Sequence, residues 1–144
     1  MYDIRARAVA LARTWIGTPY HHQASLKGVG CDCVGLIRGI YRELFGAEPE
    51  LPSAYTRDWA EATGEETLLA AARRHLVEIA PLSARPGDVL VFRYRTQAVA
   101  KHAGIVTADG LMIHAIEGAP VSEVALCAWW RRHTAGAFAF PERS

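Results

Sequence analysis

Cysteine and histidine are the side chains here best suited to covalent and proton-transfer chemistry near neutral pH, and the chain has few of either. There are three cysteines, Cys31, Cys33 and Cys127, and six histidines. Cys33 stands out by position. Asp32 sits where an N-cap belongs, and the residues after it, Val34 to Phe45, read as a helix, so Cys33 falls in the first helical turn. Unpaired backbone N–H groups and the positive end of the helix dipole face a side chain there, and both favour thiolate over thiol. The polar approach Lys27-Gly28-Val29-Gly30-Cys31-Asp32 leaves the sulfur accessible, and Gly35 leaves room beside it. A buried, inert cysteine at a helix start fits the same position equally well.

The histidines separate these two readings. A thiol nucleophile needs a base to take its proton, and the base needs a third group to fix its ring. His102 opens one strand of a hairpin and His114 lies in the other. A cysteine at a helix start facing two histidines on adjacent strands supplies all three roles. With a strict two-residue turn at Asp109-Gly110, Ile105 opposes His114 and His102 points to the other sheet face. A shared site therefore requires an odd-length connection or a bulge, which Gly110 permits. Taken alone, His114 between Ile113 and Ala115 reads as a core histidine satisfied by backbone.

Cys31, Cys33, His21, His22, His102 and His114 are also the right ligand types for zinc. Against that, Cys-x-Cys is not the usual zinc spacing, and adjacent histidines tend to point apart. No metal or other cofactor is expected. Cys31 as a redox partner of Cys33 would close a strained ring. Cys127, before Trp129 and Trp130, reads as core, and the tryptophan pair as packing. Cys33 alone among the thiols is expected at a helix start, so an alkylating agent should label it before Cys31 or Cys127.

Positioning these groups requires helices first and strands second. Ile4, Ala8, Leu11, Trp15 and Ile16 share a helical face, and Gly17 and Pro19 end that helix. Residues 20–32 form a loop. The helix from Cys33 to Phe45 turns Leu36, Ile37, Ile40, Tyr41 and Leu44 inward, with Gly46 past its end. After an irregular Pro-containing stretch, a third helix runs from about Glu65 to Ile79 and stops at Pro81. Pro86-Gly87-Asp88 is a turn, followed by a strand over 89–94. Strands at 103–107 and 111–116 flank Asp109-Gly110, and 121–125 and 137–140 add edge strands. This order predicts one α+β domain over residues 1–144, with N-terminal helices packed on an antiparallel sheet.

The 144 residues are enough for one core and too few for two. At 51% hydrophobic and 22% charged the balance is globular. Sixteen basic and fifteen acidic residues are well mixed, with no basic run, which excludes nucleic acid as the expected partner. No stretch reaches the roughly 18 apolar residues of a membrane span, and the charged N-terminus does not read as a signal peptide. The expectation is synthesis in a bacterial cytoplasm without a signal sequence, and no membrane partner.

In order and spacing, Gly17-Thr18-Pro19-Tyr20, Asp32-Cys33-Val34-Gly35-Leu36-Ile37, Pro86 to Phe92, His102-Ala103-Gly104-Ile105-Val106 and Met112-Ile113-His114-Ala115 resemble the NlpC-type peptidases. These are papain-like cysteine peptidases acting on cell-wall peptide, and the likeness spans residues 10 to 118. The run from His21 to Cys33 is most similar to the short phage-tail and gene-transfer-agent branch. The resemblance implies a papain-like fold with Cys33 as nucleophile at a helix N-terminus, His102 as base and His114 as the residue orienting it. It places Tyr20 near the oxyanion and Asp32 toward the substrate's free amine. The implied substrate is a peptidoglycan stem peptide, cut between D-γ-glutamyl and diaminopimelyl residues. The implied setting is a phage-like tail particle, with tail hub or baseplate proteins as partners and action in the cell wall. A structural tail module of the same fold, without activity, is the alternative. Val34 stands where the pattern has Ser, and His21-His22-Gln23 replaces the usual Arg-Trp-Gly, so the stem-peptide preference is the point these departures touch.

Overall fold

The computed structural model of the chain describes residues 3–47 and 67–142. The irregular stretch before the third helix and that helix's first residues, Glu65 and Glu66, lie outside the described part. Helix α1 (Ile4–Thr14) opens at Asp3, whose carboxylate accepts from the Arg5 and Ala6 amides. A short ribbon of β1 (Ser25–Leu26) and β2 (Gly30–Cys31) leads into α2 (Cys33–Phe45), which ends at Gly46 with φ 82°. Then come α3 (Thr67–His75), β3 (Val77–Ile79), a 3₁₀ turn at Pro81–Ser83, β4 (Val89–Phe92), β5 (His102–Ala108), β6 (Leu111–His114) and β7 (Ser122–Ala125). Helix α4 (Ala128–Arg132) and β8 (Thr134–Ala139) close the described chain.

The six-stranded sheet is antiparallel throughout, in the order β3-β8-β4-β5-β6-β7. One face carries Val89, Val91, Ala103, Ile105 and Ile113 against Ala8, Ala12, Trp15, Leu36 and Ile40 of the N-terminal helices. The other carries Leu90, Phe92, Val106 and Met112 beneath Leu126 and Trp130. Trp15 is 1% exposed and packs where Gly39 has no side chain; a Cβ there would overlap the indole ring. That close approach is what lets α1 and α2 share one apolar layer.

The Pro86-Gly87-Asp88 turn anchors the helices to the sheet. Gly87, at φ 98°, passes so close to the backbone of Arg5 that any Cβ would overlap it. The buried Asp88 carboxylate then accepts from Arg5 Nε at 3.0 Å and from the Arg85 amide at 2.9 Å.

Four sequence expectations are corrected. The third helix stops at His75, and Val77 to Ile79 pair as a strand with Ala139 to Ala137, because apolar Val77 and Ile79 gain a ladder partner in β8. β8 lies inside the sheet between β3 and β4 and is not an edge. The strand expected to reach Tyr94 ends at Phe92. The Cys127–Trp130 segment is a helix start, and Cys127 is exposed at its N-cap position.

Candidate active site

The hairpin of β5 and β6 decides whether the two histidines can meet. Ala108 pairs with Leu111, but Val106 pairs with Met112, Ile105 with Ile113 and Gly104 with His114. Thr107 is the extra residue, a bulge that shifts the register by one. His114 therefore opposes Gly104, and His102, two residues along, falls on the same face. Gly104 keeps the space between them open: a Cβ there would lie 3.4 Å from His114 Cβ and 2.9 Å from Met112 Sδ. The side chains meet across that diagonal, with His102 Nε2 2.9 Å from His114 Nδ1.

Both histidines are buried, at 2% and 5% exposure. Burial first, then the neighbouring His114, pushes His102 down to about 3. Burial also lowers His114. The pair is neutral at physiological pH. Neutral rings share one proton in this bond, so one nitrogen donates and the other accepts. With His102 Nε2 committed to His114, His102 Nδ1 is the nitrogen left for other work.

Cys33 sits at the start of α2, as its sequence position implied. Asp32 caps the helix, its Oδ1 accepting from the Gly35 amide at 2.7 Å. The half-buried sulfur reaches the backbone on both sides of His102. It donates to the Lys101 carbonyl at 3.7 Å, and the Ala103 amide faces it with those of Val34 and Cys33. Those amides favour thiolate, but burial outweighs them, and the Asp32 carboxylate adds to it, so the thiol is pushed up to about 12. The helix start favours thiolate, as its sequence position implied, but burial opposes it and favours the protonated thiol. The expectation for Gly35 is corrected. It leaves no open room, because the Ala24 carbonyl occupies the place a Cβ would take, drawing the 20–31 loop onto α2.

Tyr20 is half-buried and bridges to Cys31. It converges with Cys33 on a residue the sequence did not flag. Tyr94 is held above its ordinary range by burial foremost, then by Cys33 and Tyr20, and its ring centroid lies 5.9 Å from that of His102. Asp32 is only 3% exposed; beyond the cap, its Oδ2 accepts from the Gln23 amide at 2.7 Å, and His22 Nδ1 lies 3.7 Å away. What the structure shows Asp32 doing is holding backbone. Val34 turns into an apolar cleft with Ile37, Leu68, Val91 and Ala103, where a serine hydroxyl would find apolar walls.

His21 lies against Gly30 while His22 faces Asp32, so the adjacent histidines diverge. Among the described residues no group of three or more His, Cys, Asp or Glu is placed to hold a metal ion. Cys31 is fully buried and pushed up to about 12, chiefly by burial. Trp130 packs on both His102 and His114, a contact that the bare Trp129-Trp130 pair did not announce.

Comparison with known proteins places this arrangement. A gamma-DL-glutamyl hydrolase of Bacillus subtilis (strain 168) is 31% identical over 104 residues, covering 72% of this chain and 21% of the relative. A probable endopeptidase of Mycobacterium tuberculosis (strain ATCC 25618 / H37Rv) is 31% identical over 121 residues, 83% of this chain and 26% of the relative. The chain thus spans about a fifth to a quarter of these curated relatives. The crystal structure of the NlpC/p60 domain of peptidoglycan hydrolase SagA superposes with a TM-score of 0.65 at 24% identity, over 94% of this chain and 98% of that one. It shares the α+β, papain-like architecture of helices on an antiparallel sheet. The family model described as the NlpC/P60 family matches residues 17–138, which takes in Tyr20, Cys33, both histidines and the strands that carry them. The chain belongs to the NlpC/P60 family.

Proposed function

We propose that this chain is a cysteine peptidase that hydrolyses an amide bond in bacterial peptidoglycan stem peptide. One observation carries the reading: the Cys33 sulfur lies against the backbone flanking His102, whose Nε2 is bound to His114 at 2.9 Å. Sγ attacks the amide carbon as its proton passes to His102 Nδ1, and the His102 Nε2–H is donated to His114 Nδ1. The new oxyanion finds N–H donors at the start of α2, and the family resemblance gives Tyr20 a place near it. His102 returns the proton to the leaving amine, and water hydrolyses the resulting thioester. Because the resting thiol and imidazole are both neutral, the thiolate forms only as attack proceeds.

The finer reading places the cut between D-γ-glutamyl and diaminopimelyl residues. The glutamyl hydrolase name of one relative supports it. Val34 removes the hydroxyl that the family pattern offers next to the nucleophile, while Asp32, the group expected to meet the substrate amine, also holds the Gly35 and Gln23 amides. Carriage on a phage-like tail particle, with hub or baseplate partners, rests on the likeness of residues 21–33 to that branch. Among the described residues no helix is long and apolar enough to cross a membrane.

Digestion of purified peptidoglycan, with mass spectrometry of the released peptides, tests the reading. The expected result is new diaminopimelyl amines, lost in Cys33→Ala at an unchanged melting temperature and insensitive to chelators. Intact peptidoglycan under every condition would favour an inactive tail module. Activity lost to chelation and restored by zinc would favour a metal site.

A further inference from the structure

We propose that Trp130 is a positioning residue whose indole covers the His102–His114 hydrogen bond, keeping water from it and fixing the plane of the His102 ring. The inference rests on the Cys33–His102–His114 reading of the site. The indole stacks on His102 with centroids 5.2 Å apart and planes 28° apart, and meets His114 edge-on at 5.4 Å and 90°. The two imidazoles are themselves 5.1 Å apart. Three rings at nearly equal mutual distances form a closed triangle, so the tryptophan sits over the bond that joins the other two.

The surroundings hold Trp130 in that place. Phe92 packs on it at 4.8 Å, and Trp129 meets it edge-on at 4.9 Å. Its carbonyl accepts from the Thr134 hydroxyl at 3.1 Å and from the His133 amide at 3.1 Å. Arg131 Nε is bonded to the Leu126 carbonyl at 3.0 Å, which ties the short α4 back to β7. β8 bulges at Ala135, bringing Thr134 opposite Phe92 and seating α4 against that end of β4.

An imidazole turns readily about its Cβ–Cγ bond unless something holds it. A water molecule competing for Nε2–H would release His102 from His114 and let Nδ1 swing away from the sulfur. The stacked indole opposes this by occupying the side from which water would enter, and by favouring one ring plane. The titratable groups facing His102 are His114 from β6, Cys33 from the start of α2 and Tyr94 from the segment after β4, with Lys101 preceding it on its own strand. His102 is held down to about 3 chiefly by burial, so admitting water moves it up toward its ordinary value.

Trp130→Leu and Trp130→Phe test the proposal. Leu fills apolar volume without a planar face, and Phe restores the face. In the wild-type protein, proton NMR should show a slowly exchanging, downfield His102 Nε2–H. Trp130→Leu should lose that signal and lower kcat about 10- to 100-fold with KM within about threefold. The acid limb of its kcat/KM profile should move up toward pH 6.5, the ordinary histidine value, while Trp130→Phe recovers most of each. Absence of the protected proton in the wild type would overturn the proposal. So would Leu and Phe variants with the same kcat and the same pH profile, which is what packing alone predicts. Should Cys33→Ala remain active, the reading of the site fails, while the NMR result still reports on what covers the histidine pair.

Discussion

Three thiols in one small chain sit in three different surroundings, and these point to an order of reactivity other than the one expected from the sequence. Cys127, expected in the core, is exposed at the start of α4, and the amides of Trp130 and Trp129 hold its thiol below the ordinary value. Cys33 is raised by burial and Cys31 is sealed. Iodoacetamide near neutral pH should therefore label Cys127 first, Cys33 next and Cys31 last, by peptide mapping over time. Activity should follow Cys33 labelling alone, and Cys127→Ser should retain it; inactivation that tracks Cys127 would remove Cys33 from the nucleophile's role. His114 gives a second test at this scale. It touches His102 and has no assigned contact with substrate, so His114→Ala should lower kcat by about 10- to 100-fold and leave KM within about threefold. His114→Asn, which offers an amide oxygen to His102 Nε2–H, should recover part of the loss. A change confined to KM would show that His114 binds substrate instead.

At the scale of elements, the hairpin shows what a sequence can and cannot say. The alternating apolar residues of 103–107 and 111–116 marked two strands, and Asp109-Gly110 marked their turn. The need for an irregularity followed from putting both histidines on one face. Which residue supplies it did not, because a bulge at Thr107 carries no special composition. Its reason is tertiary: the Thr107 hydroxyl donates to Glu123 on β7, which also binds Arg13 of α1 at 2.9 Å. Glu123 is drawn below the usual carboxylate range by the Thr107 hydrogen bond first, with Arg13 adding to it. Nor could the sequence show that β3 would be drawn out of a helical run, since that needs β8, some sixty residues away, as partner. Cys33, His102 and His114 were legible because their types are rare and their spacing fixed. Tyr94 and Trp130 were not, because aromatic residues most often pack. Deleting Thr107 should remove the extra residue and leave a regular two-residue hairpin in which Ala108 still opposes Leu111, Val106 opposes Met112 and Gly104 opposes His114. The histidines would stay on one face, because the bulge is what absorbs the odd residue. Circular dichroism should then report a folded protein that keeps measurable hydrolysis. A folded deletion variant without hydrolysis would show that the bulged shape of the strand, and not the register alone, sets the site.

For the whole molecule, the neutral histidine pair ties stability to pH. The site lies where the sheet, α2 and α4 meet, and its burial is secured by contacts far along the chain, such as Arg5 with Asp88 and Trp15 against Gly39. In the unfolded chain each histidine takes up a proton near pH 6.5. In the folded protein His102 does so only near 3, and His114 is lowered in the same direction. Between those values the unfolded state binds more protons, so stability is complete above about pH 6.5 and falls steadily as pH drops toward 3. At 1.36 kcal/mol per pKa unit, His102 alone withdraws about 2 kcal/mol at pH 5, a substantial part of the roughly 5 to 15 kcal/mol that holds an ordinary domain. Most exposed carboxylates remain ionised at that pH, so the window belongs largely to histidine. Urea unfolding of the wild-type protein and of His102→Gln, at pH 7.5, 6 and 5, separates this contribution from the rest. His102→Gln should be the less stable at pH 7.5, since it breaks the bond to His114, and the gap should narrow by about 2 kcal/mol at pH 5. Parallel curves across that range would mean that His102 takes up its proton as readily in the folded protein as in the unfolded chain, and a gap that widens toward pH 5 would mean that the folded protein holds it charged, as in an ion pair.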